Sequence, residues 1–236
     1  MPDLTPFETP LGATLLKVCG ATSGVDVSAL ADGGADLIGL WHGVSGGHAD
    51  LDRARLTELA AAAVARGRTP VLVTFTGDPA AVADALTESG IGVVQLHGYQ
   101  APPVVRAIKA TGATVVKVLH VDGAVSHEQR LLRSYRRAGV DVFLLDAVGA
   151  DGGVGSTGRE IDPAVALSVA EAADAPFLLA GGISATNAAR FAAVRAHPQF
   201  LGIDVDSAAR DANGHLAVTR VAAIRQAWHE AGEEAA

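Results

Sequence analysis

Cysteine is nearly missing from this chain. One thiol, Cys19, in 236 residues excludes an internal disulfide and any zinc site built on cysteines. Basic residues are also short: 18 Lys and Arg against 26 Asp and Glu give a formal net charge of −8. Without a basic footprint, nucleic acid is not expected as a partner. No apolar run reaches membrane-spanning length, and Met1-Pro2-Asp3-Leu4-Thr5-Pro6 has no basic stretch followed by an apolar one. No membrane contact is therefore expected, and the cytoplasm is the expected location. Aromatic residues make up 4% of the chain although 49% is apolar, so Ala, Val, Leu and Gly must build the core. That composition suits small-residue helices packed on a Val/Leu-rich sheet. A G-x-G-x-x-G fingerprint is missing from the first strand–helix turn, which argues against a dinucleotide site.

What is present is an alternation of two textures. Apolar runs at 15–18, 36–40, 70–75, 92–96, 114–119, 141–145, 175–180 and 200–205 read as buried strands. Segments with helical spacing follow at 25–32, 51–66, 79–88, 102–110, 127–138, 163–172, 185–194 and 218–231. Alternating strands and helices imply parallel βαβ units, and eight pairs are the count that closes a (β/α)8 TIM barrel. The expectation is a single α/β domain over 1–236, with an irregular lead over 1–13 and a frayed tail over 230–236. An open doubly wound sheet rarely repeats eight such units. Gly33-Gly34, Gly90 and Gly139 stand where helices stop, while Asp78-Pro79, Asp162-Pro163 and Ser184-Ala185 read as helix starts.

In such a barrel the active site lies at the C-terminal ends of the strands. The residues just past the apolar runs are therefore the candidates. They include Cys19, Trp41, His42, His97, His120, Asp146, Gly181, Gly182, Asp206 and Ser207. A lone cysteine beside a strand is most often a small hydrophobe. Cys19, however, stands shortly before the first helix, whose N-terminus favours a thiolate. Asp146 has a strand-end reading too, but no helix starts next to it. A thiol and a carboxyl facing one mouth form an acid–base pair. Gly181-Gly182, with Ser184 capping the next helix, offers amides to an anion such as phosphate. The Gly-rich stretch 152–158 is placed to act as a lid that adds further amides, Gly155 among them. Of eight histidines, only His42, His48, His97 and His120 fall near the mouth, without carboxylates at ligand spacing. No metal is expected, and His97 and His120 read as hydrogen-bonded strand-end residues.

Lys17-Val18-Cys19-Gly20, Gly34-Ala35-Asp36-Leu37-Ile38-Gly39, Val94-Gln95-Leu96-His97-Gly98 and Leu144-Leu145-Asp146-Ala147 recur in order with Gly152-Gly153-Val154-Gly155, Leu179-Ala180-Gly181-Gly182-Ile183 and Gly202-Ile203-Asp204-Val205. Together, from Leu15 onward, they resemble the phosphoribosylanthranilate isomerase family of tryptophan biosynthesis. The resemblance implies a (β/α)8 barrel with Cys19 as general base and Asp146 as general acid in an Amadori rearrangement of N-(5-phosphoribosyl)anthranilate. It implies no cofactor, because the substrate's own iminium is the electron sink. It also implies a small-molecule substrate contacted by His48, Gly155, Gly181, Gly182, Asp206 and Ser207, in a monomer or homodimer. Three departures from the family pattern stand out. His48 occupies the position of an Arg that meets the anthranilate carboxylate, and it lacks that residue's bidentate fork. Asp206 brings a carboxylate to the expected phosphate site, with Arg210 as a compensating charge. Trp41-His42 replaces a Phe-rich end of the second strand. A diverged lyase or aldolase-like enzyme with an unphosphorylated substrate, and a non-catalytic metabolite-binding barrel, are the alternatives.

Overall fold

Alternate residues of a strand face opposite ways, so a run that is apolar throughout needs packing on both faces. In the computed structural model, which describes residues 4–8, 13–149 and 159–233, the runs obtain this by closing on themselves. The barrel strands are β1 Leu15–Cys19, β2 Leu37–Trp41, β3 Thr69–Thr74, β4 Val93–Leu96, β5 Thr114–Asp122, β6 Val142–Ala147, β7 Phe177–Leu179 and β8 Phe200–Val205. Each pairs in parallel with the next, and β8 returns to β1 with Lys17 opposite Asp204. Around them run α1 Gly24–Asp32, α2 Arg53–Ala65, α3 Pro79–Ser89, α4 Pro102–Lys109, α5 Leu132–Ala138, α6 Pro163–Ala173, α7 Ala192–Arg195 and α8 Val218–Glu233. This is the expected (β/α)8 barrel. None of the described helices is long and apolar enough to cross a membrane.

The period of two sorts the core into two shells. Leu16, Val18, Ile38, Leu40, Leu72 and Val94 point outward against the helices. Leu15, Leu37, Val71, Val73, Val116, Val118, Val142 and Leu144 fill the barrel. Each such side chain, once buried, contributes ~1.5–3 kcal/mol. The same parity sends Lys17, Cys19, Gln95, His97, Asp146 and Asp204 inward near the strands' C-terminal ends. All six are buried.

Four local expectations are revised. The lead contains a 3-10 turn, Thr5–Phe7, whose Phe7 joins the inner shell beside Leu15 and Leu37. Helix α8 continues to Glu233, into the stretch read as tail. The helix expected over 127–138 is an α-helix only from Leu132. Before it, Val125–Ser126 pairs antiparallel with the end of β5, and Glu128 turns inward onto His120. The helix expected from Ala185 begins as a 3-10 turn at Ala188 and becomes α7 only at Ala192. There the Asn187 side chain accepts from Ser184 N and donates to Glu160, so the first turn does not wind as a helix. The caps at Asp78 and Asp162 form as expected.

Candidate active site

Seven of the eight strands contribute to the lining of one cleft, and most of the residues the sequence singles out converge there. Cys19 from β1 and Asp146 from β6 both line it, with Gly181 and Gly182 beyond β7 and Asp206 and Ser207 beyond β8. Trp41 and His97 belong to its wall and also to that of an adjoining groove that contains His48 and Phe75. His42 lines neither; its Nδ1 lies 2.7 Å from the Leu51 carbonyl at the entry to α2. Gly155 and the rest of 150–158 lie outside the described residues.

Cys19 sits where it does because its neighbour strand gives way. Gly39 on β2 lies against it, and a Cβ there would run into Sγ. Lys17, two residues back on the same face of β1, places Nζ 2.7 Å from Sγ and 2.8 Å from Oδ2 of Asp204. Sγ itself is 3.8 Å from that Oδ2. This corrects one expectation. The helix N-terminus does not set the thiol's acidity. Burial, and next Asp204, push the Cys19 thiol up to about 12, against the pull of Lys17. Burial works against the Lys17 ammonium, but Asp204 and Cys19 outweigh it and its pKa is raised. Burial likewise lifts the Asp204 carboxyl above the usual carboxylate range despite Lys17.

Asp146 is held from two sides. Its Oδ1 accepts from Ala147 N at 2.9 Å, and its Oδ2 lies 3.2 Å from Nε2 of His97, off the line a hydrogen bond needs. Nδ1 of His97 is 3.0 Å from the Gln95 amide, and Phe75 stacks on the ring at 4.8 Å. His97 is therefore a site residue rather than an ordinary strand-end histidine. His120 does behave as expected, bridging the His97 carbonyl and Glu128 at 2.8 and 2.5 Å. Among the described residues, four buried polar atoms around the cleft make no hydrogen bond: Trp41 Nε1, Gln95 Oε1, His97 Nε2 and Asp204 Oδ1. Buried polar atoms without partners are rare, and grouped around one cleft they suit a polar ligand.

The anion side is built differently from the sequence expectation. Helix α7 is short and starts far from Gly182, so Ser184 caps no helix and no helix field is supplied there. What remains are the Gly181 and Gly182 backbones at φ +80° and +66°. A Cβ on Gly181 would press on Ala147, and one on Gly182 on Glu160. Ser207 opens a 3-10 turn and is exposed. Asp206 does face this side, but Arg210 Nε is 2.8 Å from its Oδ1 and His48 Nε2 is 3.8 Å from its Oδ2. Arg210 also donates to the Gly20 and Gly214 carbonyls at 3.1 and 3.0 Å. His48 is exposed and meets Trp41 edge-on at 4.8 Å.

Comparison with known proteins agrees with this geometry. The family model described as N-(5'phosphoribosyl)anthranilate (PRA) isomerase matches residues 16–227. An N-(5'-phosphoribosyl)anthranilate isomerase of Haloferax volcanii is 35% identical over 202 residues, covering 85% of this chain and 86% of that one. Its counterpart from Pelobacter propionicus is 34% identical over 204 residues, 84% and 88% of the two chains. Among solved structures, phosphoribosyl anthranilate isomerase from Thermus thermophilus superposes with a TM-score of 0.76 at 21% identity, over 92% of this chain and 99% of that one. Another isomerase structure, in complex with reduced 1-(o-carboxyphenylamino)-1-deoxyribulose 5-phosphate, gives 0.72 at 19% identity over 92% and 99%. By the family model over 16–227 and relatives of 34–35% identity, this chain belongs to the N-(5'-phosphoribosyl)anthranilate isomerase family.

Proposed function

We propose that this chain catalyses the Amadori rearrangement of N-(5'-phosphoribosyl)anthranilate, a step of tryptophan biosynthesis, with Asp146 as general acid and Cys19 as general base. The observation that carries the reading is that Cys19 and Asp146, from strands on different sides of the barrel, line the same cleft. Asp146 protonates the furanose ring oxygen and the ring opens to a Schiff base. Cys19 as thiolate removes the proton from C2, and the enolamine becomes the ketone. One group must donate and the other accept at one pH, so their surroundings must differ. They do: Asp146 meets a backbone amide and an imidazole, Cys19 an ammonium and a carboxylate.

The remaining roles follow the lining. The amides at Gly181 and Gly182, with Ser207, take the phosphate, and Arg210 neutralises Asp206 beside it. The anthranilate ring lies in the groove between Trp41 and Phe75, where His48 offers a single donor to its carboxylate. No cofactor takes part, the enzyme acts in the cytoplasm, and it works as a monomer or homodimer. Family membership does not favour a diverged lyase or a non-catalytic barrel. The test is a turnover assay on freshly generated phosphoribosylanthranilate, following loss of anthranilate-type fluorescence. The folded chain should turn over, and Cys19→Ala and Asp146→Asn should each lose at least about 10²-fold in kcat. Near-normal turnover in either variant would remove that residue from its role.

A further inference from the structure

Burial and Asp204 push the Cys19 thiol up to about 12, which makes thiolate scarce, and beside it stand two buried ionisable groups that the reaction scheme leaves unused. Lys17 is completely buried, and its Nζ has two partners, Sγ of Cys19 at 2.7 Å and Oδ2 of Asp204 at 2.8 Å. Both contacts are consequences of strand geometry. The i, i+2 parity of β1 sets Lys17 beneath Cys19, and the β1–β8 register sets it beside Asp204. The charged groups facing Sγ are Lys17 from its own strand, Asp204 from β8 and Asp206 just beyond β8. Across from it, β2 contributes only Gly39. Without Lys17 a thiolate would face two carboxylates.

We propose that Lys17 and Asp204 are positioning residues for the base: Asp204 receives the thiol proton and Lys17 holds the resulting thiolate. This rests on the reading of Cys19 as the base. The S–H bond breaks as an O–H bond forms at Oδ2, 3.8 Å from Sγ, and the ammonium keeps its protons. The trio is neutral before and after, first as thiol, carboxylate and ammonium, then as thiolate, carboxylic acid and ammonium. The thiolate then takes the C2 proton, the C–H electron pair forms the C1=C2 bond, and the iminium nitrogen accepts the displaced pair. The sulfur proton returns to C1 as the enolamine becomes the ketone, and the C2 hydroxyl proton restores Asp146 after its earlier donation to the ring oxygen. Carboxyl and sulfur then share one proton again. The second oxygen of Asp204, Oδ1, is buried and makes no hydrogen bond among the described residues. One face of this carboxylate thus serves the trio.

Cys19 is the chain's only cysteine, so iodoacetamide alkylation and thiolate absorbance near 240 nm, each followed across pH, read this one group without background. The two substitutions should move it in opposite directions. Asp204→Asn removes a carboxylate that opposes the thiolate, so alkylation at pH 8 should speed at least about tenfold, one unit of thiol pKa. Lys17→Met removes the ammonium and should slow it by a similar factor. In both, kcat should fall about 10²-fold while KM stays within a small factor, in Lys17→Met because the thiolate loses its counter-charge, and in Asp204→Asn because the thiol proton has no acceptor once bound substrate shuts out solvent. Lys17→Arg should recover part of the Lys17→Met loss. Lys17→Met leaves a lone carboxylate in the barrel. Should it fail to fold, Lys17→Met/Asp204→Asn buries no lone charge and is compared with Asp204→Asn alone. A tenfold slower alkylation in the double variant supports the role of Lys17, and equal rates overturn it. Shifts of the same sign in the two single variants also overturn the proposal. The underlying reading fails separately: turnover by Cys19→Ala removes the base itself, whereas a dead Cys19→Ala with unmoved alkylation removes only the trio.

Discussion

Asp206 is a carboxylate at the end of the cleft where a phosphate is expected, and Arg210 decides whether that arrangement works. With Nε on Oδ1 at 2.8 Å, the guanidinium cancels the charge and ties the β8 loop to the Gly20 carbonyl at the end of β1. Two unit charges a few ångströms apart near a protein surface interact by a few kcal/mol. Even a screened remainder of ~1.4 kcal/mol is a factor of ten in binding. Arg210→Met should therefore raise KM for the phosphorylated substrate about tenfold with kcat little changed, and Arg210→Met/Asp206→Asn should recover most of it. Steady-state kinetics on the four proteins of the cycle check this, and additive effects would show that the two residues are not coupled at the phosphate. His48 poses the converse problem. In the proposed reading it brings one donor to a carboxylate that a guanidinium would meet with two, and it leans on Trp41 and Asp206. His48→Arg should raise kcat/KM for the anthranilate-bearing substrate about tenfold. Unchanged kinetics would mean that the carboxylate is bound elsewhere in the groove.

Elements whose reasons are local were legible from the chain, and those held by distant partners were not. The strands announce themselves by buried apolar runs, and α3 and α6 by Asp-Pro caps that form as read. The ribbon after β5 has no such signal, because it exists for Glu128. That carboxylate takes the His120 amide at 2.9 Å, its Nδ1 at 2.5 Å and Ser126 Oγ at 3.0 Å, with Lys117 Nζ 4.0 Å away. Burial raises the Glu128 carboxyl, but the His120 hydrogen bond, His120 and Lys117 more than offset it, and its pKa is lowered. A folded pKa below the unfolded value gives stability that is present above the unfolded pKa of ~4.3 and is lost as pH falls through the lower folded one. Glu128→Gln should thus cost about 3 kcal/mol near neutral pH, the scale for unpairing a buried charge. It should also flatten the loss of stability on acidification below about pH 4.3. Denaturant melts at pH 7, 5 and 3.5 check both; parallel pH slopes for the two proteins would refute it. The site divides the same way. Cys19 and Asp146 were legible because each ends an apolar run. Lys17 entered the sequence reading only as part of Lys17-Val18-Cys19-Gly20, because the acid that answers it comes from β8 and is known only once the barrel closes. His97 read as a strand-end residue because nothing near it in sequence reveals that Asp146 faces it.

At the scale of the whole barrel the two ends have different duties. The C-terminal end holds Cys19, Asp146 and Asp204 together with polar atoms of Trp41, Gln95 and Asp204 left unpaired among the described residues, at a cost in stability. The N-terminal end carries ion pairs such as Lys109–Asp141 and is otherwise closed by packing. Phe7 takes part in that seal. Its turn is fixed by Phe7 N donating to the Leu4 carbonyl at 2.7 Å, and its ring sits in the inner shell with the first residues of β1, β2, β4 and β6. A lead that reads as irregular is therefore core by its contacts. Truncating a buried Phe to Ala costs about 3–5 kcal/mol through lost burial and the cavity left behind. In a chain of this length each kcal/mol moves Tm by roughly 2–4 °C. Phe7→Ala should accordingly lower Tm by at least about 6 °C. Because Phe7 does not line the cleft, kcat and KM measured well below the new Tm should stay at the parent values. A calorimetric scan paired with the fluorescence assay reads both. A Tm shift under about 2 °C would remove Phe7 from the core, and a fall in kcat at full folding would show that the two ends of the barrel are not independent.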